Sequence, residues 1–135
     1  MNDRKDGLRI KVLKEEQYLV ANVSGTMSLG GVRELIDIVD FESKNHGWDL
    51  FLVDMLQTGP IANEMDRFYL GKYAALNLHL GLRVAIVYPK EFRNKLFENT
   101  ATNRGATLIV VSEKEEGIKW LLEGIPNYTA KGSNK

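Results

Sequence analysis

The first apolar residues of the chain alternate rather than cluster. Leu8, Ile10 and Val12 are separated by Arg9 and Lys11, the period-2 pattern of a strand with one face in water. Past Glu15 and Glu16, residues 18–23 read as a second, more apolar strand, close enough in sequence to form a hairpin with the first. The period then changes. Leu29, Val32, Leu35, Ile36 and Val39 recur as one helical face, with Ser28 placed as N-cap and residues 44–47 as a polar exit. Gly30 and Gly31 weaken the first turn by about 1 kcal/mol each relative to alanine.

A continuous apolar run at 50–53 ending in Asp54 has the pattern of a strand buried on both faces. Gly59 and Pro60 mark a loop, and Asn63 is placed to cap a helix on which Met65, Phe68, Tyr69, Lys72, Tyr73 and Leu76 recur at spacings of three and four, ending by Asn77 and Gly81. Residues 82–88 form the next strand. Pro89 suits the first turn of a helix whose buried side is Phe92, Leu96 and Phe97, with Gly105 at its C′ position. Residues 107–111 are the last strand. Ser112 with Glu115 reads as a capping box for a closing helix bearing Ile118, Leu121 and Leu122, which Gly124 and Pro126 end.

The expected order is β-β-α-β-α-β-α-β-α in one α/β domain over residues 8–125, with a flexible N-terminus at 1–7 and a tail at 126–135. Strand–helix alternation predicts a mostly parallel five-stranded sheet with an antiparallel first strand and right-handed crossovers. The 135-residue length suits one domain.

Composition removes several functions. Lysine plus arginine and aspartate plus glutamate stand at 18 each, so there is no basic excess to neutralise phosphates and nucleic acid is not an expected partner. The chain has no cysteine, which excludes disulfides, thiolate metal sites and a cysteine nucleophile. Residues 1–6 are polar with no long apolar run after them, and the apolar stretch at 76–87 is interrupted by His79 and Arg83. Neither a secretory leader nor a membrane span is expected, and the expected location is the cytoplasm.

Four stretches, in order and spacing, resemble the SpoIIAA-like superfamily, which includes STAS domains and the Sec14 fold: residues 20–27 (VANVSGTM), 50–54 (LFLVD), 81–89 (GLRVAIVYP) and 112–122 (SEKEEGIKWLL). The chain looks most like the small bacterial STAS/Sec14-type proteins of unassigned activity. The resemblance implies a β-α superhelix with an antiparallel first strand, and no known reaction. The anti-sigma-factor antagonists of that superfamily carry a phosphorylatable serine after the third strand in an Asp-Ser-Ser-Gly-like motif. Here the region reads Asp54-Met55-Leu56-Gln57-Thr58-Gly59-Pro60; the motif is not kept, and Thr58 is its one candidate phosphoacceptor.

The candidate binding residues gather at the expected carboxyl ends of the strands, where open α/β sheets collect ligands. Asp54 is placed there, against a plainer role bonding nearby backbone N–H groups. Thr58 and Gly59 could form an anion nest or an ordinary turn. Ser24, Thr26 and Ser28 could contact a small ligand or cap the helix. His46 and His79 lack metal-ligand spacing, and neither a P-loop nor a Gly-x-Ser-x-Gly elbow is present. Trp120, off the main apolar face of the last helix, is either a partner anchor or part of a wide buried face. No cofactor, metal or catalytic residue is expected.

Phe51 and Val53 point to one face of the sheet and Leu50 and Leu52 to the other, and both pairs are apolar. Burying one such side chain stabilises by about 1.5–3 kcal/mol, so either a helix crosses to the second face or a second copy covers it. The expected function is a non-enzymatic STAS-like interaction or regulatory domain acting as a homodimer. The alternative is a small-molecule or lipid-binding domain using the cleft beside Asp54, Thr58 and Ser24.

Overall fold

A computed structural model describes residues 7–60, 63–93 and 95–123. The readings of residues 1–6 as a flexible start, of Gly124 and Pro126 as the closing stop, and of residues 126–135 as a tail lie outside the described residues. The hairpin forms as the alternation predicts. Strands β1 (Leu8–Lys14) and β2 (Leu19–Gly25) pair antiparallel, with Leu8 opposite Gly25 and Ile10 opposite Val23. Strands β3 (Leu50–Thr58), β4 (Arg83–Val87) and β5 (Thr107–Val111) extend the sheet in parallel, in the spatial order β1-β2-β3-β4-β5.

Helix α1 (Leu29–His46) starts where Ser28 predicts: the Gly31 N–H donates to Ser28 Oγ at 3.0 Å. It runs through the stretch read as a polar exit and stops at Gly47, whose φ of 70° lets its N–H and that of Trp48 turn back to the carbonyls of Lys44 and Ser43. Helix α2 (Glu64–Asn77) is capped by Asn63, which accepts from the Asp66 N–H at 2.9 Å. A 3-10 turn (Lys90–Phe92) follows Pro89 and helix α3 (Leu96–Asn103) is a separate element, so the single helix expected here is two pieces. Helix α4 (Lys114–Leu122) closes the fold. Its cap is Glu113, whose N–H donates to the Glu116 carboxylate at 3.3 Å. Ser112 was expected in that role, but its hydroxyl receives Arg93 Nη1 at 2.9 Å, and the box slips by one residue.

Consecutive strand order with right-handed crossovers sends every connecting helix to the same side. α1, α2 and α3 accordingly bury Val32, Leu35, Ile36, Val39, Leu70, Ala74 and Ala101 against Phe51, Val53, Val84, Leu108 and Val110. α4 leaves the last strand with no further strand to reach, and it folds across the opposite face. There Leu121, flanked by Ile118 and Trp120, packs on Leu52, Ala85, Val87 and Val111. Trp120 is a cover rather than a free anchor: the Arg83 guanidinium stacks 3.9 Å from its ring and donates to its carbonyl at 2.7 Å. The second apolar face is thus covered within one chain.

α2 departs from its sequence reading. The stripe at Met65, Tyr69 and Leu76 is exposed, and the buried positions are Leu70, Gly71 and Ala74. The cause is the close approach of α3. A Cβ at Gly71 would stand 2.7 Å from Thr100 Cβ and 2.9 Å from the Phe97 carbonyl oxygen, so only a face of small residues fits there.

Gly71→Ala is therefore expected to destabilise the protein by about 1–3 kcal/mol through overpacking, although alanine otherwise favours a helix by about 1 kcal/mol. Gly117→Ala in α4 is expected to cost less, because its methyl meets the movable end of Leu52 at 2.9 Å. Urea unfolding of both variants checks the order; equal losses, or a larger loss at Gly117, contradict the α2–α3 contact.

Candidate functional site

The structure divides the expected cleft. α4 covers β3, β4 and β5 but leaves the β1–β2 end of its face open, and there Arg9, Lys11, Asn22, Ser24, Asp54 and Gln57, with Ile10 and Val23, line an open trough of about 360 Å³. Asp54 and Ser24 are brought together in it. Asp54 is not at a strand end, because β3 continues to Thr58 alongside β2, while its pairing with β4 stops at Asp54 opposite Val87. The β2–β3 register shifts between Asn22 and Ser24, and at that bulge Asp54 Oδ1 accepts the Leu56 N–H at 3.1 Å. The carboxylate holds its own backbone.

Thr58, opposite Gly25, turns to the helical face. It is buried, and its hydroxyl donates to the Met55 carbonyl at 2.8 Å. Phosphorylation at that oxygen requires this hydrogen bond to open and the side chain to emerge. The Gly59 carbonyl accepts from the Tyr88 hydroxyl at 2.9 Å. Ser28 is occupied as the α1 cap, and the Thr26 N–H donates to the Gly7 carbonyl at 3.3 Å. Gly59, Thr26 and Ser28 thus serve loop and cap geometry, and the six candidates do not converge on one point.

Beneath α1, α2 and α3 lies a second hollow, an apolar cavity of about 80 Å³ whose walls include Val39, Val53, Ala74, Ile86 and Val110. Two charged side chains, Arg67 and Arg93, also line it. Sequence reasoning missed both, because each lies outside the apolar stripe of its element. Their one legible signal is position, since each follows the carboxyl end of a parallel strand by several residues.

The histidines serve other ends. His79 joins the α2 exit to α1: its backbone N–H donates to Asp40 Oδ1 at 2.9 Å, and its Nδ1 lies 2.7 Å from the same oxygen. Lys44 Nζ reaches the other Asp40 oxygen at 3.0 Å. Burial pushes the Asp40 carboxyl up, but the hydrogen bonds from His79 and Lys44 outweigh it and hold the group below its ordinary range. One turn earlier the Tyr73 hydroxyl donates to Asp37 at 2.8 Å, which raises its pKa, and Arg33 lies 5.0 Å from the Tyr73 ring. His46 lies 3.4 Å from Glu42 on its own helix. Among the described residues no group of three or more His, Cys, Asp or Glu is placed to hold a metal ion, and no helix is long and apolar enough to cross a membrane.

No protein-family model matches the chain, and no curated protein matches it. Solved structures do. An anti-sigma factor antagonist from Mycobacterium paratuberculosis is similar with a TM-score of 0.60 at 11% identity, over 89% of this chain and 98% of that one. A DUF3478-family protein with a SpoIIAA-like fold, from Shewanella loihica PV-4, gives a TM-score of 0.52 at 18% identity, over 90% of this chain and 98% of that one. The anti-sigma factor antagonist SpoIIAA in its unphosphorylated form gives 0.50 at 14% identity, over 87% of this chain and the whole of that one. What is shared at such identities is architecture. The chain has a SpoIIAA-like fold, with the antiparallel first strand and parallel remainder that its sequence implied.

The Asp40 cluster yields a pH test. A carboxyl whose folded pKa lies below its unfolded value adds stability that is present above about pH 4 and is lost as pH falls through the lowered folded value. Asp40→Asn is expected to destabilise by about 1–3 kcal/mol at neutral pH. Its deficit against the unsubstituted protein should shrink between about pH 5 and about pH 2. Denaturant titrations across that range check this; a deficit that stays level or widens contradicts the pairing.

Proposed function

We propose that this chain is a non-catalytic, cytoplasmic interaction domain with a regulatory role, and that it docks a second copy of itself through the outer ridge formed by α1 and α2. One observation carries the reading. On α2 and the turn after it, Met65 is 73% exposed, Leu76 81% and Leu80 91%, and Phe41 on α1 is 62% exposed. Phe41 lies one turn beyond Asp37, and Leu76 one turn beyond Tyr73. The Asp37–Tyr73 hydrogen bond therefore places both at the same end of the ridge. Apolar side chains grouped in this way at a surface mark contact sites, and aromatic and long aliphatic anchors dominate their energetics.

The homodimer thus rests on a different surface from the one that first motivated it. The second sheet face no longer needs a partner, because α4 covers it. Two of the similar structures are named as anti-sigma factor antagonists, and a regulatory role exercised through a protein partner extends that role to this fold. The non-catalytic reading is supported by how the polar side chains are used: Asp54, Thr58, Ser28 and Asp40 all hold backbone or neighbouring helices. No cofactor enters this reading.

Analytical ultracentrifugation from about 1 to about 100 µM, the range of transient to moderately stable dimers, is expected to show a dimer. Leu76→Glu/Leu80→Glu should sediment as a monomer, with unfolding free energy within about 0.5 kcal/mol of the parent, since both side chains are exposed. A parent protein that stays monomeric, or a double variant that still dimerises, contradicts docking through this ridge.

A further inference from the structure

We propose that the outer edge of β1 binds an extended segment of a partner protein as a sixth strand beside the five of the sheet, and that this segment alternates acidic and apolar residues. The edge shares no residue with the docking ridge, so the two proposals stand or fall separately.

The hydrogen bonds at the two ends of the hairpin set which backbone groups face outward. The Thr26 N–H donates to the Gly7 carbonyl at 3.3 Å, and the Glu15 N–H to the Tyr18 carbonyl at 2.9 Å. Antiparallel partners exchange these bonds at every second residue, and the register between the two ends is unbroken. Arg9, Lys11 and Leu13 therefore turn their N–H and C=O groups to β2, while Leu8, Ile10, Val12 and Lys14 turn theirs away. Among the described residues no strand meets that outer row. β1 contains no proline and its pairing carries no bulge, two devices that close an edge to further pairing. Such a row is the surface that strand addition uses, with the backbone supplying affinity and alternate side chains the specificity.

The side chains fix the character of the added strand, because residues paired across a ladder share one face of the sheet. One face of β1 presents Arg9 and Lys11, both exposed and without an ion pair among the described residues. They line the open trough. The other face presents Ile10 and Val12, which line a second open groove of about 470 Å³ with Ile38, Glu42 and His46. Ile10 lines both hollows, so they meet at this strand. A matching strand sets carboxylates beside Arg9 and Lys11 and apolar side chains beside Ile10 and Val12. A second copy of β1 lacks that pattern. Full antiparallel overlap of Leu8–Lys14 with itself sets Lys11 opposite Lys11, and like charges directly opposite are destabilising. A small anion would satisfy the cations and leave the outward backbone row unbonded.

Heteronuclear NMR titration of the full chain tests this with a blocked peptide of alternating glutamate and valine, seven residues long to match β1. Saturable shifts centred on β1 are expected, with slowed amide exchange at Ile10 and Val12. An isomer with its glutamates grouped at one end, and a counterpart with lysine for glutamate, should each bind at least tenfold more weakly. Arg9→Glu/Lys11→Glu should reverse the preference between the acidic and basic peptides. Val12→Pro removes one outward N–H, a change that edge strands tolerate, and should abolish binding. The charge-reversed variant keeps the test decisive where the proline variant does not fold. Any of three results overturns the proposal: no saturable shift at millimolar acidic peptide, equal affinity for the isomer, or free glutamate competing as well as the peptide. Slowed exchange at Ile10 and Val12 in concentrated protein without peptide would overturn it too, by giving the edge to a second copy.

Discussion

The structure depends on one constraint: four parallel strands in consecutive order, buried on both faces. Leu19, Phe51, Leu52 and Val87 are fully buried, and Val53 nearly so, so water is excluded from either side of the central ladder. Right-handed crossovers between neighbouring strands place α1, α2 and α3 together on one side. The other side then falls to α4. Both hollows follow from that division. The open trough is the part of the second face beyond the reach of the nine-residue α4, and the apolar cavity is the space that three helices leave when laid across one face.

Local chemistry was legible where a residue acts on its own neighbours. The caps at Ser28 and Asn63, the left-handed Gly105 after α3, and the alternation of Leu8, Ile10 and Val12 all depend on spacing within a few residues. What escaped depends on contacts distant in sequence. Ser112 and Glu113 each stand three residues before a glutamate, and the choice between them falls to Arg93, 19 residues away. α2 carries two possible faces, and periodicity favours the larger residues. The approach of Thr100 to Gly71 selects the smaller ones.

The candidate site shows the same limit. Asp54 and Ser24 lie near one another because parallel pairing sets Asn22 beside Asp54. Thr58 is grouped with them by the expectation that the strand ends at Asp54 and a loop follows. β3 runs further and carries a bulge, so Gln57 joins the trough while Thr58 lies on the helical side. A bulge has no reliable composition signal; here its trace is a carboxylate two residues before the backbone N–H it accepts. Arg67 and Arg93 come from separate elements and line one hollow only in three dimensions. α2 faces two ways, since its inner side closes the cavity at Arg67 and Ala74 while its outer side presents Met65 and Leu76.

The central claim is that a single chain covers both faces of its sheet. It is tested most directly by the nuclear Overhauser effect between the Gly117 Hα protons and the Leu52 δ-methyls, measured in dilute and in concentrated protein. A Cβ built at Gly117 would lie 2.9 Å from Leu52 Cδ1, so a strong effect of the same size is predicted at both concentrations. An effect that is missing in dilute protein, or that appears only on concentration, would mean that a second molecule covers the face assigned to α4.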